Sequence, residues 1–539
     1  MTRGAETMVQ DEPAPPETDR EAVRRAAVRE RLVRPMPADR LLGWAATLFV
    51  GAVAAALRLI DLGRPHRLVF DETYYAKDAF SLLRFGEARG FVDGADEMVL
   101  AGNLDIFADD PSFVVHPPAG KWLIAGGIEL LGMDPTGWRL ASALAGIVTA
   151  MLVVRAGRRL FRSTLLGALA GLLLAVDGMA IAVSRIALLD GILTMFIVAA
   201  FACLLIDRDA ARRRYARWAE RPLFDPDRSA LGPLLAWRPW RLSAAVLLGL
   251  ACATKWSGVF AVAAFGLLTV AWEVRARKAA GVSSPWLGAL FKDGPLAFVT
   301  IVFTALVTYV ATWAGWLAGD GGYARDWAAG RPGAGIGAIV PDSLRSLWHY
   351  HAEILHFHST LTESHDYASP AWGWPLLTRP VSFDYACLNQ EGQGCSGDEP
   401  VQEILALGTP LLWWGGCLAL LVCLWRWAAS RDWRAGAILS GVLATWVPWV
   451  ILDLFLDRTT FSFYAVALAP FLVLAVAYAI GLVLGPRNAP PLRRTAGAAI
   501  AGAYVLCTVA VAAYFYPIHV DAVIPYVEWL DRMWFETWI

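Results

Sequence analysis

The chain has 539 residues, of which 57% are hydrophobic and only 18% are charged. Soluble domains are about a quarter charged and about half apolar, so this composition excludes a water-soluble globule. The 47 Lys and Arg residues balance the 48 Asp and Glu residues, which leaves no cation surplus for binding nucleic acid. We therefore expect an all-α polytopic membrane protein that works at or across a bilayer.

The first 40 residues are rich in Pro, Glu and Arg and contain no apolar run, which predicts a disordered or loosely helical cytoplasmic tail over 1–40. Apolar runs that fit a hydrocarbon core of roughly 30 Å then predict about 11 transmembrane helices within a domain over 41–516. They lie near 41–60, 138–157, 163–181, 187–206, 241–254, 257–273, 294–316, 406–427, 434–452, 461–484 and 495–516.

The loops between these spans alternate in charge. Lys and Arg are enriched on the cytoplasmic side of membrane proteins, and every second loop is basic, as in 155–162 and 207–241. The two long loops 61–137 and 317–405 are acidic and fall on the other side, together with the C-terminal segment 517–539. We expect a multi-pass plasma-membrane protein with a cytoplasmic N-terminus and an extracytoplasmic active site.

An acidic pair, Asp71 and Glu72, opens the first outer loop beside Phe70, Tyr74 and Tyr75. Adjacent carboxylates point in different directions on a helix or strand, so one can face a site while the other pairs or caps. A solvated pair of loop acids is the simplest alternative. The aromatic neighbours suit the wall of a sugar site, where a carboxylate can act as general base toward a hydroxyl group.

Later in this loop, His116 and Lys121 flank two prolines and lead into an apolar stretch over 123–131. That stretch is too short to span a bilayer, which predicts an interfacial or re-entrant helix. A lysine at this depth either extends its amine toward lipid headgroups or contacts the substrate.

Four charged residues, Arg139, Arg185, Asp190 and Lys255, lie at predicted outer ends of spans. Charges at such positions are costly and therefore indicate function. Arg185 and Asp190 either form a structural ion pair or act directly in catalysis. Lys255, one of only five lysines, lies between two short spans and is a candidate phosphate ligand.

The second outer loop concentrates histidine, tryptophan and two cysteines. Five of the eight histidines lie within 349–365, but their spacing matches no zinc motif, so we predict no metal site. His365 and the Trp-rich segment at Trp372 suit contacts with a sugar or peptide, although interfacial Trp belts have the same composition. Cys387 and Cys395 lie on the oxidising side, and we predict a disulfide between them.

Several motifs occur in one order: Phe70-Asp71-Glu72, His116 to Lys121, Ser184 to Asp190, Lys255 to Gly258, and Phe461 to Pro470. This ordered set resembles the protein O-mannosyltransferases, and residues 41 to 516 are similar to the actinobacterial-type members. The resemblance implies a GT-C type glycosyltransferase fold with two long extracytoplasmic loops. It also implies that Asp71 is the catalytic carboxylate with Glu72 beside it, and that Arg139, Lys255 and Arg185 contact the donor phosphate. The loop 317–405 is too short for the large MIR-type domain of eukaryotic members.

We therefore expect transfer of mannose from a polyprenyl-phosphate-mannose donor to Ser and Thr hydroxyls of secreted or membrane proteins, with inversion at the anomeric carbon. The lipid-linked donor is the one cofactor-like molecule expected, the metal requirement stays open, and acceptors are expected at the secretion translocon. The expected substrate-binding residues are Tyr74, His116, Lys121, Asp190, His365 and Trp372. Two alternatives remain: a GT-C transferase acting on a lipid or cell-wall glycan, and a transporter, which predicts repeat symmetry and charges near span centres.

Overall fold

The protein is described here by a computed structural model that covers residues 17–221, 229–388, 395–456, 458–486 and 488–539. Helices dominate it. Those of the first half are α1 (Glu17–Leu32), α2 (Arg40–Leu59), α3 (Glu72–Phe85), α4 (Ala95–Leu100), α5 (Ala119–Leu131), α6 (Pro135–Phe161), α7 (Thr164–Ala175), α8 (Gly178–Arg185), α9 (Leu189–Ala219), α10 (Pro239–Thr254) and α11 (Gly258–Ala279).

The second half continues with α12 (Pro285–Gly288), α13 (Gly294–Phe298), α14 (Thr304–Ala311), α15 (Ala314–Ala318), α16 (Asp342–Thr360), α17 (Pro410–Ser430), α18 (Trp433–Thr445), α19 (Val447–Phe455), α20 (Ala469–Leu484), α21 (Pro491–Phe515) and α22 (Tyr526–Leu530). Two π-helical turns join α12, α13 and α14 into one long helix, Pro285–Ala311. Short 3₁₀ turns lie at Gly335–Ala338, Ala371–Leu376, Ser462–Ala467, Tyr516–His519 and Glu536–Trp538.

Two small antiparallel sheets lie in the predicted outer loops. The strands are β1 (Arg89–Phe91), β2 (Phe107–Pro111), β3 (Val381–Cys387), β4 (Pro400–Ala406) and β5 (Ile524–Pro525). β1 pairs with β2, while the second sheet has the order β3-β4-β5. Val401 pairs with Ile524, so this sheet ties the second predicted loop to the C-terminal segment.

Eight helices are long and apolar enough to cross a membrane, and a bent pair and two shorter apolar helices accompany them in the described part of the chain. Each of the eleven predicted spans overlaps one of these elements, while the number that crosses a bilayer stays a prediction. Helix α9 is the central one: 72% of its most apolar stretch is buried inside the protein, against 17% for Pro285–Ala311.

The predicted span 163–181 is broken into α7 and α8, which meet at an angle of 57°. Asp177 causes the break, because its carboxylate accepts the Ala180 N–H at 3.1 Å and so starts a new helix. The same side chain accepts the Thr409 N–H at 3.0 Å and the Trp413 Nε1–H at 2.8 Å. The bend is therefore fixed by contacts with α17 and the residue before it.

Of the two possibilities predicted for the tail over 1–40, disorder or a loose helix, the described part contains a helix, Glu17–Leu32. Arg212 on α9 donates to the carbonyls of Arg31 and Leu32 at 2.6 and 2.9 Å. Leu32 is buried with Tyr215 in a separate small apolar cluster. Tertiary contact with α9 thus stabilises this helix; residues 1–16 lie outside the described part.

Candidate active site

The side chains of Asp71 and Glu72 diverge at the start of α3. Phe70 adopts a left-handed φ of 51°, and its ring packs on Phe383 and Phe463 with centroids 4.9 and 5.5 Å away. A bulky residue rarely adopts this conformation, and one that does costs about 1–3 kcal/mol of strain. The aromatic packing therefore supports a sharp turn that sends the two carboxylates to different places.

Glu72 is fully buried and engaged on both oxygens. Arg139 donates to it from Nε and Nη2, each at 2.8 Å, and the backbone N–H groups of Val69 and Ala187 donate at 3.1 and 2.8 Å. No lone pair of this carboxylate faces an open space, and its exposed fraction is 0%. Glu72 therefore connects α3, α6 and the residues before α9, and the geometry does not support the catalytic role predicted for it.

The guanidinium group of Arg139 is likewise fully hydrogen-bonded. Besides its two bonds to Glu72, Nη1 donates to the carbonyls of Leu62 and Pro65 at 3.2 and 3.0 Å, and Nη2 donates to Arg67 at 2.9 Å. A guanidinium group has five N–H donors, and these bonds use all of them. The geometry therefore does not support Arg139 as a phosphate ligand.

Asp71 occupies the N-cap position of α3, but its side chain makes no capping hydrogen bond. The Tyr75 hydroxyl and the Lys255 ammonium group both lie close enough to its carboxylate to lower its pKa. Burial raises the pKa of Asp71 to about 6, against the opposing effects of Lys255 and Tyr75. Asp71 is thus a partly exposed carboxylate that is deprotonated at neutral pH and more basic than an ordinary aspartate.

Lys255 follows the last residue of α10 and is 7% exposed. Its Nζ lies 3.0 Å from each carboxylate oxygen of Asp190, at the start of α9, and 4.1 Å from the centre of the Tyr464 ring. The ion pair that the sequence left open between Arg185 and Asp190 is therefore made by Lys255 instead. Asp190 and Tyr464 hold the ammonium group beside Asp71.

Arg185 contacts the C-terminal end of α2 and not the Lys255–Asp190 pair. Its Nη1 donates to the carbonyls of Arg58 and Ile60 at 3.1 and 2.7 Å, and its Nη2 donates to Asp61 at 2.9 Å. These carbonyls lie at the C-terminal end of α2, where the helix dipole also stabilises a cation. The geometry supports a role in capping α2 more than the phosphate contact predicted for Arg185.

A row of rings borders the same site. The His116 ring lies 6.1 Å from Tyr75 and stacks on His358 at 5.4 Å. His358 donates from Nε2 to the Val115 carbonyl at 3.1 Å, and Arg458 donates to its Nδ1 at 3.4 Å. Burial, with the nearby Arg458, lowers the pKa of His358 to about 4, and burial lowers the pKa of His116 as well. Both rings are neutral at pH 7, and the Nδ1 atom of His116 has no protein partner among the described residues.

The remaining predicted binding residues lie at different depths. Lys121 is 2% exposed and forms a 2.8 Å ion pair with Asp78, so it does not extend toward lipid headgroups. His365 is exposed and close enough to Asp71 to affect it electrostatically. The side chains of Tyr74 and Trp372 are 62% and 58% exposed. Their role in substrate binding stays a prediction.

Cys387 and Cys395 are joined by a disulfide, as the sequence predicted, at a Cα–Cα distance of 5.8 Å. Within the described residues, the one cluster of potential metal ligands consists of these two cysteines with Glu399. Both of its sulfur atoms are already used in the disulfide, so the cluster offers no thiolate to a metal ion.

The chain is similar to proteins of one known family. A family model described as the C-terminal four TMM region of protein-O-mannosyltransferase matches residues 343–538. A second, described as dolichyl-phosphate-mannose-protein mannosyltransferase, matches residues 115–219. A polyprenol-phosphate-mannose--protein mannosyltransferase of Mycolicibacterium smegmatis is 40% identical, over 93% of this chain and 94% of its own. The chain belongs to the protein O-mannosyltransferase family.

Other members agree with this assignment. The enzyme of the same name from Corynebacterium glutamicum is 31% identical, over 87% of this chain and 88% of its own. The structure of the S. cerevisiae protein O-mannosyltransferase Pmt1-Pmt2 complex bound to the sugar donor superposes with a TM-score of 0.67 at 13% identity, covering 96% of this chain and 94% of that one. The GT-C type membrane fold expected from the sequence is thereby confirmed.

Two residues of this family member's site, Arg458 and Tyr464, were not singled out in the sequence, and Tyr75 was named there only as an aromatic neighbour of the acidic pair. Arg458 meets the criterion used for the other boundary cations, because it directly precedes the predicted span 461–484. Tyr464 lay within a matched motif but carried no sequence signal for a partner. Its contact with Lys255 joins residues 209 positions apart, which no local pattern reveals.

Proposed function

We propose that this protein transfers mannose from polyprenol-phosphate-mannose to Ser and Thr hydroxyls of protein acceptors, and that Asp71 is the general base. Family membership supports the donor and the reaction. The assignment of the base depends on the different environments of the two carboxylates at the start of α3. Both oxygens of Glu72 accept hydrogen bonds from Arg139, whereas Asp71 is partly exposed beside Lys255.

In this mechanism the Asp71 carboxylate accepts the proton of the acceptor hydroxyl as its oxygen forms a bond to the anomeric carbon. The bond from that carbon to the phosphate oxygen breaks, and the electron pair leaves on the polyprenyl phosphate. Attack opposite the phosphate inverts the anomeric configuration. Because phosphate is a good leaving group, one carboxylate suffices where a glycosidase needs two.

Two cations are placed to stabilise the leaving phosphate. Lys255 and Arg458 both act electrostatically on His116 and on Tyr464, so they lie around the same volume. We assign the phosphate contact to these two residues and a positioning role to Arg139, since fixed cations stabilise charge that develops in the transition state. Asp190 holds the Lys255 ammonium in place.

The site faces the extracytoplasmic side of the plasma membrane in this proposal. A disulfide between Cys387 and Cys395 suits an oxidising compartment. Acceptors therefore reach the site as they emerge from the secretion translocon.

The proposal is tested with membranes that contain the enzyme, radiolabelled polyprenyl-phosphate-mannose and a Ser/Thr-rich peptide. Label is expected in the peptide. Asp71→Asn should abolish transfer while the protein accumulates normally, and Asp93→Asn, the same change at an exposed position in the same predicted loop, serves as the control. Label that appears only in glycolipid or cell-wall glycan, or near-normal transfer by Asp71→Asn, would overturn the proposal.

A further inference from the structure

A second charged cavity lies at the opposite end of the helix bundle. Asp190, beside the active site, and Arg208 are on the same helix, and 18 residues at 1.5 Å each place them about 27 Å apart. Helix α6 has the same orientation. Arg139 lies near its active-site end, and Arg162, which lines the cavity, directly follows its last residue. The cavity therefore opens at the predicted cytoplasmic face.

This cavity, called here the arginine cavity, has a volume of about 490 Å³. That volume is within the range of sites for small molecules and cofactors. Its lining contains a single acid among the described residues, Asp209, and seven arginines: Arg31, Arg34, Arg162, Arg208, Arg212, Arg275 and Arg434.

The protein neutralises little of this charge. Asp209 is shared by Arg159 and Arg162 at 2.6 and 2.8 Å. Arg434 is paired with Asp432 at 2.6 Å. Each of these acids is thus already engaged, so most of the positive charge in the cavity has no carboxylate partner among the described residues.

Arg208 shows how tightly the cations are held. It is 8% exposed, and its guanidinium group lies 3.4 Å from the centre of the Trp433 ring and 3.6 Å from Asp209. Arg162 and Arg212 are close enough to repel it. Burying a cation among other cations is unfavourable unless an anion compensates.

Backbone contacts fix part of the lining without neutralising it. Arg212 donates to the carbonyls of Arg31 and Leu32, and Arg275 donates to the carbonyl of Arg431 at 2.7 Å. The guanidinium groups are therefore oriented in advance, as in a binding site and unlike a solvated basic loop. Planar guanidinium groups match the oxygen geometry of phosphate.

We propose that the arginine cavity binds a phosphate-bearing anion at the face opposite the active site. Because α1 and the residues after it line the cavity, the bound anion fastens the N-terminal segment onto α9. The anion is either the headgroup of an acidic phospholipid in the adjacent leaflet or a soluble phosphate compound.

The test measures hydrogen exchange of residues 17–35 and thermal stability in the purified full-length enzyme. In one arm, inorganic phosphate is titrated into protein in neutral detergent, against chloride at equal ionic strength. In the other arm, the protein is placed in phosphatidylcholine nanodiscs with or without phosphatidic acid. Slower hydrogen exchange and higher thermal stability in the phosphate titration identify a soluble anion. The same effects in the nanodiscs alone identify a lipid headgroup, and an effect in neither experiment refutes the proposal.

The double variant Arg31→Gln and Arg34→Gln tests the site without disturbing the fold, because both side chains are exposed and line the cavity. Loss of two charge-assisted hydrogen bonds should weaken anion binding about tenfold or more. Arg213→Gln is the control, since Arg213 is exposed on α9 next to the lining residue Arg212 but does not itself line the cavity. Equal losses of anion binding in the double variant and in Arg213→Gln, or no loss in the double variant, would contradict a specific binding site. Unchanged mannosyl transfer shows that the variants are folded.

Discussion

Replacing Arg139 by Gln separates a scaffold role from a phosphate role. The change removes both charged bonds to Glu72 and leaves the carbonyls of Leu62, Pro65 and Arg67 without their donor. Breaking a buried ion pair costs about 3–5 kcal/mol, and each unsatisfied buried carbonyl adds about 1 kcal/mol or more. The sum is comparable with the whole stability of a typical domain, about 5–15 kcal/mol.

We therefore expect Arg139→Gln to accumulate poorly and to unfold at a much lower temperature in detergent. The fraction that folds should use the donor with a near-normal KM. Glu72→Gln combined with Arg139→Gln should recover part of the stability, because it no longer leaves a lone charge buried, and a double-mutant cycle measures that coupling.

The assay is thermal unfolding of the purified variants, combined with donor titrations at saturating acceptor peptide. Arg458→Gln serves as the comparison, because Arg458 is only partly buried and its expected effect is on donor use. An Arg139→Gln enzyme of wild-type stability with a donor KM raised tenfold would refute the scaffold role and restore Arg139 as a phosphate ligand.

Three further outcomes are expected. Transfer should fall as the pH drops through about 6, the raised pKa of Asp71, because the base is then protonated; a profile flat down to pH 5 would contradict this role. Lys255→Ala and Arg458→Gln should each raise the donor KM or lower kcat about tenfold or more, while acceptor KM stays constant, and unchanged donor kinetics would exclude the phosphate contact. An impermeant thiol reagent applied to intact cells should label Cys387→Ser, through the freed Cys395, and not the wild type at this loop; labelling only after the cells are opened would contradict the predicted orientation.

The sequence predicted the membrane elements well because they depend on local properties. Hydropathy over about 20 residues and the sign of flanking charges are sufficient to locate helices such as α6 and α9. The break at Asp177 was missed because an N-cap aspartate inside an apolar run resembles any other isolated acid. The sequence left the N-terminal tail between disorder and a loose helix, because the contacts of α1 with α9 are not visible in its own residues.

The sequence by itself determined which residue types stand at the membrane boundary: Asp71, Glu72, Arg139, Asp190 and Lys255 were all found from charge beside apolar runs. Only the tertiary structure decided how they pair. Arg139 meets Glu72 across 67 positions, and Lys255 meets Asp190 across 65. An ion pair depends on the distance between side chains on different helices, and no local pattern in the chain contains that distance. For that reason one carboxylate of an adjacent pair became part of the scaffold and the other was left free for chemistry.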